Sequence, residues 1–336
     1  MKKELWIDKM KHHLLPTKHF HIIFTIPHEL NDLVFYNRKL MYELLFTSAW
    51  QSIKAILGSG TTGMVATLHS WGANLSRHPH LHCIVPEGKL CNNEWVKVTA
   101  SNQRFYCNAV ELRQTFKRIF IENLFILLEN EVLEVKNNSV TTDSNYYLKL
   151  LKTINRKKWN VRIESPILGV QQIIEYLGRY IRRVALSNGR IQQITSSHVT
   201  LQYKQYSKQK PGEPAPIQTT DFEGVQFLQR FVQHILPAYF HRVRYYGLYA
   251  FAAKSSKAKA YQLITGDTTE AYVRPLKRQL LQRMLGIDPD VCPTCACYQT
   301  LQLSSLIQGD KFYFNIKPKW YNIRVKLWQN KLNFVA

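Results

Sequence analysis

Short apolar runs rich in β-branched residues alternate with long helical patterns along this chain, and this order constrains its fold most. The segments "FHIIFTIP", "MVATLHSW" and "LHCIVPEG" have the length and composition of buried strands. The helical patterns fall between such runs without the regular strand–helix–strand period of a parallel sheet. The sequence therefore predicts an α+β fold built on an antiparallel sheet.

The helical patterns have recognisable ends. One runs from about Asn31 to Leu57, a second through "VELRQTFKRIFIENLFILLENEVL" and a third through "ILGVQQIIEYLGRYIRRVALSNGR", where "SNG" closes the apolar stripe. A fourth is expected between Thr220 and Pro237, because Thr220 and Glu223 have capping-box spacing. Asn92 and Asn93 in "GKLCNNEWVKV" predict a hairpin turn.

The Pro-rich polar segment "SKQKPGEPAPIQ" marks the main internal boundary. We expect a core domain over residues 14–206, a connector at 207–220, a basic helical region at 221–290 and a tail at 291–336 with an incomplete cysteine cluster. The C-terminal region is thus predicted to be mixed and mainly helical.

The charge balance predicts a polyanionic partner. Lys and Arg number 45 against 23 Asp and Glu, a net charge of +22. The basic residues lie along the whole chain, often beside aromatic residues, whereas a membrane-surface segment is usually one basic amphipathic helix. Nucleic acid is therefore favoured over an anionic membrane or plain solubility. With no membrane span or signal-peptide pattern, we expect a cytoplasmic, nucleoid-associated protein with reduced cysteines.

Three histidines lie within five residues in "SRHPHLHCIVPEGKL". On a strand, His80 and His82 share one face about 7 Å apart, so their imidazoles can converge on a divalent ion. Pro79 suits the start of an edge strand and sets His78 apart as a phosphate contact or a spacer. The alternative is a row of surface histidines on a half-buried strand, and a metal would need a third ligand.

Two tyrosines, Tyr176 and Tyr180, are four residues apart and share one helix face, with Arg179 and Arg183 on the polar flank. Tyrosine can attack a phosphodiester when a divalent metal polarises the phosphate, and two such tyrosines can act in succession. The alternative is packing at the edge of the apolar stripe, with solvated arginines.

Arg242 and Arg244 in "FHRVRYYGLY" lie between aromatic residues. This pattern fits a surface that contacts phosphates and stacks on the bases of single-stranded DNA, and it fits equally a strand with a solvated basic face.

Cys292 and Cys295 have the spacing of half a zinc ribbon, with Cys297 nearby. A structural zinc site takes four ligands, and no second Cys or His pair follows. We therefore expect no structural zinc at Cys292 and Cys295.

"HPHLHCIVPEG" followed by "YLGRYIRRVALSNGRI" resembles the two-tyrosine HUH transposases of the insertion-sequence-91 type, a rolling-circle family. The resemblance extends to "FHIIFTIPHEL", "LHSWGANLSRHPHLHCIVPEG", "VTLQYKQY" and "FVQHILPAYFHRVRYYGLYA", and covers roughly residues 14–250. It implies an HUH nuclease fold, in which helices flank a central antiparallel sheet, with the catalytic core over residues 14–206.

The resemblance also implies a chemistry. His80 and His82 match the pair that holds one Mg2+ or Mn2+, and Tyr176 and Tyr180 match the nucleophiles. The implied reaction is cleavage of single-stranded DNA at element ends, through a 5′-phosphotyrosine and a free 3′-OH, followed by transfer to target DNA. A replication initiator or relaxase of the same class and a non-catalytic DNA-binding remnant remain alternatives.

Two departures from the family pattern leave questions open. Many relatives carry Gln after the Trp-Gly of "HSWG", a plausible third metal ligand, where this chain has Ala73; His69 or Asn74 can substitute. Members commonly begin with a cysteine-rich zinc-binding domain, whereas the first cysteine here is Cys83. We expect this chain to lack that domain, and the chain can then be either a full-length protein or a truncated copy of a transposase. The order of attack, the DNA target and the oligomeric state are not set by these motifs.

Overall fold

The computed structural model describes residues 2–98, 106–134, 144–167, 185–205, 208–210, 213–268, 301–308 and 311–318, with scattered positions between 169 and 291. The chain divides into two compact units, Lys11–Glu270, and Met1–Met10 together with Ala271–Ala336. The domain boundaries expected from the sequence stay a prediction.

Five strands of the larger unit form one antiparallel sheet, in the order β10 (Val243–Gly247), β2 (Gly63–Trp71), β3 (Arg77–Pro86), β1 (His19–Thr25) and β6 (Asn160–Ile163). Three others, β7, β8 and β9, form a second antiparallel sheet, and β4 and β5 form a hairpin. In the smaller unit, β11 pairs with β12. The strands are β1 His19–Thr25, β2 Gly63–Trp71, β3 Arg77–Pro86, β4 Gly88–Cys91, β5 Glu94–Lys97, β6 Asn160–Ile163, β7 Ile191–Ile194, β8 His198–Lys204, β9 Ile217–Glu223, β10 Val243–Gly247, β11 Leu301–Gln308 and β12 Lys311–Pro318.

Helices complete the α+β architecture that the sequence predicts. Helix α3 (Arg38–Leu57) packs against α4 (Ala109–Glu129), and both contribute buried apolar residues to the main core. Within the described residues, no helix is long and apolar enough to cross a membrane. The helices are α1 Lys2–His13, α2 Asn31–Tyr36, α3 Arg38–Leu57, α4 Ala109–Glu129, α5 Ser144–Arg156, α6 Gly224–Val232 and α7 Lys254–Thr265.

The main core lies on one face of the five-stranded sheet. Alternate residues of the strands, such as Phe24 on β1 and Leu81 on β3, are fully buried there against α3 and α4. The Phe24 ring lies 4.9 Å from that of Phe116 on α4. Because side chains alternate along a strand, the residues between these point to the opposite face. That opposite face carries the histidines.

The single helix predicted from Asn31 to Leu57 is broken at Asn37. Its backbone leaves the helical region (φ −119°, ψ 41°), and its side-chain amide donates to the Leu33 carbonyl at 3.0 Å and the Glu134 carbonyl at 2.7 Å. The backbone N–H of Glu134 donates back to Asn37 Oδ1 at 2.7 Å. A contact with residue 134 therefore ends α2, which the helical period of the sequence does not reveal.

The prediction that a helix begins at Thr220 is wrong. Thr220 lies on β9 opposite Leu201, and Thr200 Oγ1 donates to Asp221 Oδ1 across the same strands at 2.5 Å. The buried Phe222 side chain extends this strand, and α6 begins only at Gly224. Burial in the second sheet outweighs the local capping pattern. The predicted hairpin turn is confirmed, since Asn92 and Asn93 have φ values of 49° and 68° between β4 and β5.

Candidate metal centre

The register of β2 and β3 gathers three histidines on the face opposite the main core. His69 pairs with His80, and Thr67 pairs with His82, so these four side chains share one face. One ring nitrogen from each of His69, His80 and His82 lies within 4.8 Å of the others. His69 and His82 are buried and His80 is half-buried. The shared strand face expected for His80 and His82 is confirmed.

A bulge in β3 shapes this cluster. His69 pairs with His80 but Trp71 pairs with Arg77, so Ser70 faces both His78 and Pro79. β3 pairs with β1 as well as β2 and is a central strand, so the expectation of an edge strand at Pro79 is wrong. A central strand accepts this proline because a bulge needs no ladder hydrogen bond from it.

The backbone at the bulge also orients His80. Its Nδ1 lies 2.6 Å from the carbonyl oxygen of His78. Because a carbonyl only accepts, Nδ1 carries the proton and donates, and the lone pair of this tautomer lies on Nε2. That is the arrangement a metal ligand requires.

His21, on β1, orients His82 in the same way. Its Nε2 lies 2.8 Å from Nδ1 of His82, and the two rings stack at 5.0 Å and 6°. Burial lowers the pKa of His21 to about 3, with smaller contributions from the positive charges of Arg162 and protonated His80. A neutral His21 with its proton on Nδ1 accepts the Nδ1 proton of His82 at Nε2, and this pair of tautomers leaves the His82 lone pair on Nε2, as a metal ligand requires.

Sequence reasoning missed His21, although a signal exists. His19 and His21 form a second His-x-His on β1, the strand that pairs directly with β3. Only the register, with Ile23 opposite His82, brings His21 beside His82 rather than His80.

The residues around the cluster fit a divalent ion. Thr67 is fully buried on the same strand face, and its hydroxyl has no hydrogen-bond partner among the described residues. A buried polar atom without a partner beside three imidazoles is unusual in a folded protein. An ion with bound water would satisfy such an atom. Three imidazole nitrogens are donors that first-row transition ions accept more readily than Mg2+, which prefers oxygen ligands.

Of the two candidates for the third ligand, His69 has the required position. Its ring lies 4.5 Å from that of His82 and 5.3 Å from that of His80, and it stacks on Trp71 at 4.8 Å. The Asn74 amide oxygen instead accepts from the backbone N–H of Ser76 at 3.2 Å.

Comparison with known proteins supplies the family. A family model, Y2_Tnp, described as "Putative transposase", matches residues 63–258, which include all three histidines of the cluster. The chain belongs to the Y2_Tnp transposase family. This confirms the family that the sequence motifs indicate.

Two curated relatives of this Y2_Tnp chain carry transposase names. "Putative transposase y4qJ" of Sinorhizobium fredii (strain NBRC 101917 / NGR234) is 29% identical over 302 residues, covering 86% of this chain and 74% of the relative. "Transposase for insertion sequence element IS801" of Pseudomonas savastanoi pv. phaseolicola is 25% identical over 316 residues, covering 90% and 73%. No solved structure matches significantly.

Arg242 of the Y2_Tnp chain lies beside the histidine cluster. Its guanidinium is 5.4 Å from the centre of the Trp71 ring, which stacks on His69. Burial lowers the pKa of Arg242 from its ordinary value, but an arginine starts far above neutral pH and stays charged. The structure thus places a cation against Trp71, which in turn stacks on the candidate ligand His69. A DNA contact by Arg242 stays a prediction.

Arg244 is placed differently. It pairs with Ala66, on the face covered by helices, and its guanidinium binds both carboxylate oxygens of Glu43 on α3. The guanidinium also lies over the rings of Phe46 at 4.3 Å and Phe240 at 5.0 Å. These contacts tie β10 to α3, and a DNA contact by Arg244 stays a prediction.

The other predicted site residues lie outside the described residues. This applies to both tyrosines, to the arginines beside them and to the cysteine pair, and their roles stay predictions. These residues are Tyr176, Tyr180, Arg179, Arg183, Cys292 and Cys295.

Proposed function

We propose that this chain is a metal-dependent HUH transposase that cleaves and rejoins single-stranded DNA at the ends of a mobile element by rolling-circle transposition. One observation carries the proposal, namely the convergence of His69, His80 and His82 on one sheet face in a chain of a transposase family. The net charge of +22 supports a DNA partner, and we infer that the chain acts on DNA of the nucleoid.

The three histidines would hold one Mn2+ or Mg2+, with His21 fixing the tautomer of His82. Such an ion, when bound, polarises a phosphate and stabilises the charge of a leaving oxygen. The chain's own part is to keep the imidazoles neutral and aimed at one point, and to hold the DNA. Arg242, beside Trp71, would contact a phosphate next to the scissile one.

The nucleophiles are carried over from the family resemblance. The Oη of Tyr176 or Tyr180 would attack the scissile phosphorus and form a new P–O bond as it loses its proton. The 3′ oxygen would leave with the electron pair of the broken bond and take up a proton. The 5′-phosphotyrosine keeps the energy of the phosphodiester, so a later 3′-OH can displace the tyrosine. Arg179 and Arg183 would bind the flanking phosphates.

A covalent-adduct assay tests this function. The full chain is incubated with labelled single-stranded DNA from an element end and Mn2+, and the product is run on a denaturing gel. We expect an adduct that disappears in a Tyr176→Phe, Tyr180→Phe double variant. His80→Ala should abolish the adduct while DNA binding is retained, because only the metal ligand is removed.

Tyr239→Phe is the matched control, since Tyr239 is almost fully exposed and is not one of the two tyrosines that the family resemblance assigns as nucleophiles. An adduct that persists in the double variant would sink the assignment of the nucleophiles. Cleavage of a replication origin in preference to element ends would identify an initiator instead. Absence of any adduct, together with undiminished DNA binding, would identify a non-catalytic remnant.

A further inference from the structure

Helix α5 and the residues after it carry an unbalanced positive charge. Residues 149–158, "KLLKTINRKK", contain five basic residues and no acidic one. All five basic side chains are exposed. Lys157 pairs with Glu29, but the other four have no ion-pair partner among the described residues. We call Lys149, Lys152, Arg156 and Lys158 the α5 surface.

This surface lies on the side of the sheet away from the histidine cluster. Leu150, Ile154 and Trp159 anchor the segment in the main core, and the Trp159 ring packs 5.2 Å from that of Phe120. The basic side chains therefore point outward from the helix-covered face. The sheet and one helix layer, on the order of 10–20 Å, separate them from the candidate metal ligands.

The chemistry of the surface favours phosphate contacts alone. Lys149, Lys152 and Arg156 follow one stripe of the helix over about 10 Å. They border a shallow depression of about 540 Å³ that Leu148 and Thr153 also line. Among the described residues, no aromatic side chain lines this depression, and Tyr146 is the one exposed aromatic residue of α5, one turn before Lys149. Surfaces that bind single strands normally use several aromatic side chains for base stacking. Attraction to the helix dipole explains a cation in the last turn, such as Arg156, but not the whole stripe.

We propose that the α5 surface binds the phosphate backbone of double-stranded DNA. Given the proposed function, this duplex is the DNA adjoining the single strand held at the histidine cluster. Binding of this kind is independent of sequence and positions the protein on the duplex rather than reading bases.

The test compares two triple variants of the full chain. K149Q/K152Q/R156Q removes the stripe, and K54Q/K208Q/K259Q removes the same charge from exposed positions elsewhere. Duplex binding is measured by fluorescence anisotropy between 50 and 300 mM NaCl. We expect the stripe variant to lower the slope of log K against log salt by about 2–3 and to weaken binding roughly 10- to 100-fold, since each lost phosphate contact removes about 0.9 from the slope. The control should change little.

Three results would overturn the proposal. Equal losses in both triple variants would mean that only net charge matters. A loss for single-stranded DNA as large as for duplex would assign the surface to the single strand. Unchanged duplex binding, with lost binding to phosphatidylserine vesicles, would assign it to a membrane. Adduct formation on single-stranded DNA, which tests the proposed function, should be unaffected by the stripe variant.

A separate observation concerns Arg190. Its guanidinium donates to three carbonyl oxygens, those of Ala185 at 3.0 Å, Gln202 at 3.1 Å and Ala73. Ala73 lies in the turn that joins β2 to β3 beside the histidine cluster. Ala185 is the first described residue after the segment that carries both tyrosines, and Gln202 lies on β8.

A small apolar core joins the same three parts of the chain. It contains Leu75 of the β2–β3 turn, Ala185, and Val199 and Leu201 of β8, with Trp71 packed against it. Leu75 is fully buried at φ 59°, so this turn is held in a conformation that an unsupported leucine rarely adopts.

We infer that Arg190 is a positioning residue, which fixes Ala185, the first described residue after the predicted tyrosine segment, to the turn beside the histidine cluster. This inference rests on the proposed function. A lysine keeps the charge but lacks the planar fork that reaches three carbonyls at once. A displacement of about 1 Å at a reacting group costs on the order of 100-fold in rate.

The test is single-turnover adduct formation by Arg190→Lys at varied DNA concentration. We expect kcat to fall roughly 10- to 100-fold, with unchanged KM for DNA and unchanged Mn2+ affinity. Arg118→Lys, at an exposed arginine of α4 paired with Glu122, is the matched control. A wild-type rate in Arg190→Lys, or a loss that appears only in KM, would overturn this inference alone. Absence of an adduct in the wild type would overturn the proposed function with it.

Discussion

Replacing His21 with phenylalanine is expected to weaken Mn2+ binding although no metal ligand is removed. Phenylalanine keeps a ring to stack on His82 but lacks the nitrogen that lies 2.8 Å from the His82 Nδ1. The Nδ1 proton then has no acceptor there, and His82 can turn or change tautomer. Loss of such a partner weakens metal affinity about 10- to 100-fold, which equals about 1.4–2.7 kcal/mol.

The assay is a titration of the full chain with Mn2+, followed by the electron paramagnetic resonance signal of the unbound ion. His19→Phe is the control, because it removes another buried histidine of β1 that contacts Tyr249 rather than His82. Wild-type affinity in His21→Phe would refute the orienting role. The same loss in His19→Phe would show that any buried change in β1 disturbs the site. A loss as complete as in His82→Ala would make His21 a ligand.

Three further predictions follow from contacts described above. At a Mn2+ concentration of 100 times Kd, binding should stabilise the fold by about 2.7 kcal/mol and raise the melting temperature. His69→Ala should abolish this rise, whereas Asn74→Ala should retain it. The reverse result would exchange the roles of His69 and Asn74. Burial lowers the pKa of His19 to about 4, whereas an unfolded histidine has a pKa near 6.5. The free energy of unfolding should therefore fall by about 3 kcal/mol as the pH drops from 6.5 towards 4. In urea unfolding, His19→Gln should lose this pH dependence. Glu43→Gln should lower the free energy of unfolding by about 1 kcal/mol, measured by thermal unfolding, because it removes the ion pair with Arg244. No change would show that the contacts of Arg244 with the rings of Phe46 and Phe240 are sufficient to hold its guanidinium.

Local pattern predicted β1, β2, β3 and the β4–β5 hairpin, because the apolar side chains of the three strands run together or alternate where the sheet buries them and the hairpin has a turn at Asn92 and Asn93. The common face of His80 and His82 followed from strand geometry alone. The end of α2 and the start of α6 could not be predicted from local pattern, because Asn37 and Phe222 contact residues distant in the sequence.

The remaining parts of the candidate site depend on register. The bulge opposite Ser70 places His69 across from His80, and the pairing of β1 with β3 places His21 beside His82. Neither offset is encoded in a short motif. Arg244 shows the same limit, since its basic and aromatic surroundings predict exposure, whereas its partner Glu43 lies 201 residues away.

The position of β10 at one edge of the sheet has a consequence for synthesis on the ribosome. The strands β1, β2 and β3, with all the histidines of the cluster, are complete by residue 86, but β2 receives its outer neighbour only when residues 243–247 emerge. Until then the backbone of β2, whose side chains are almost all buried in the folded chain, has an open edge, which invites pairing with other nascent chains. Fragments that stop before Val243 should therefore aggregate, and a split version of the protein needs its break after Gly247.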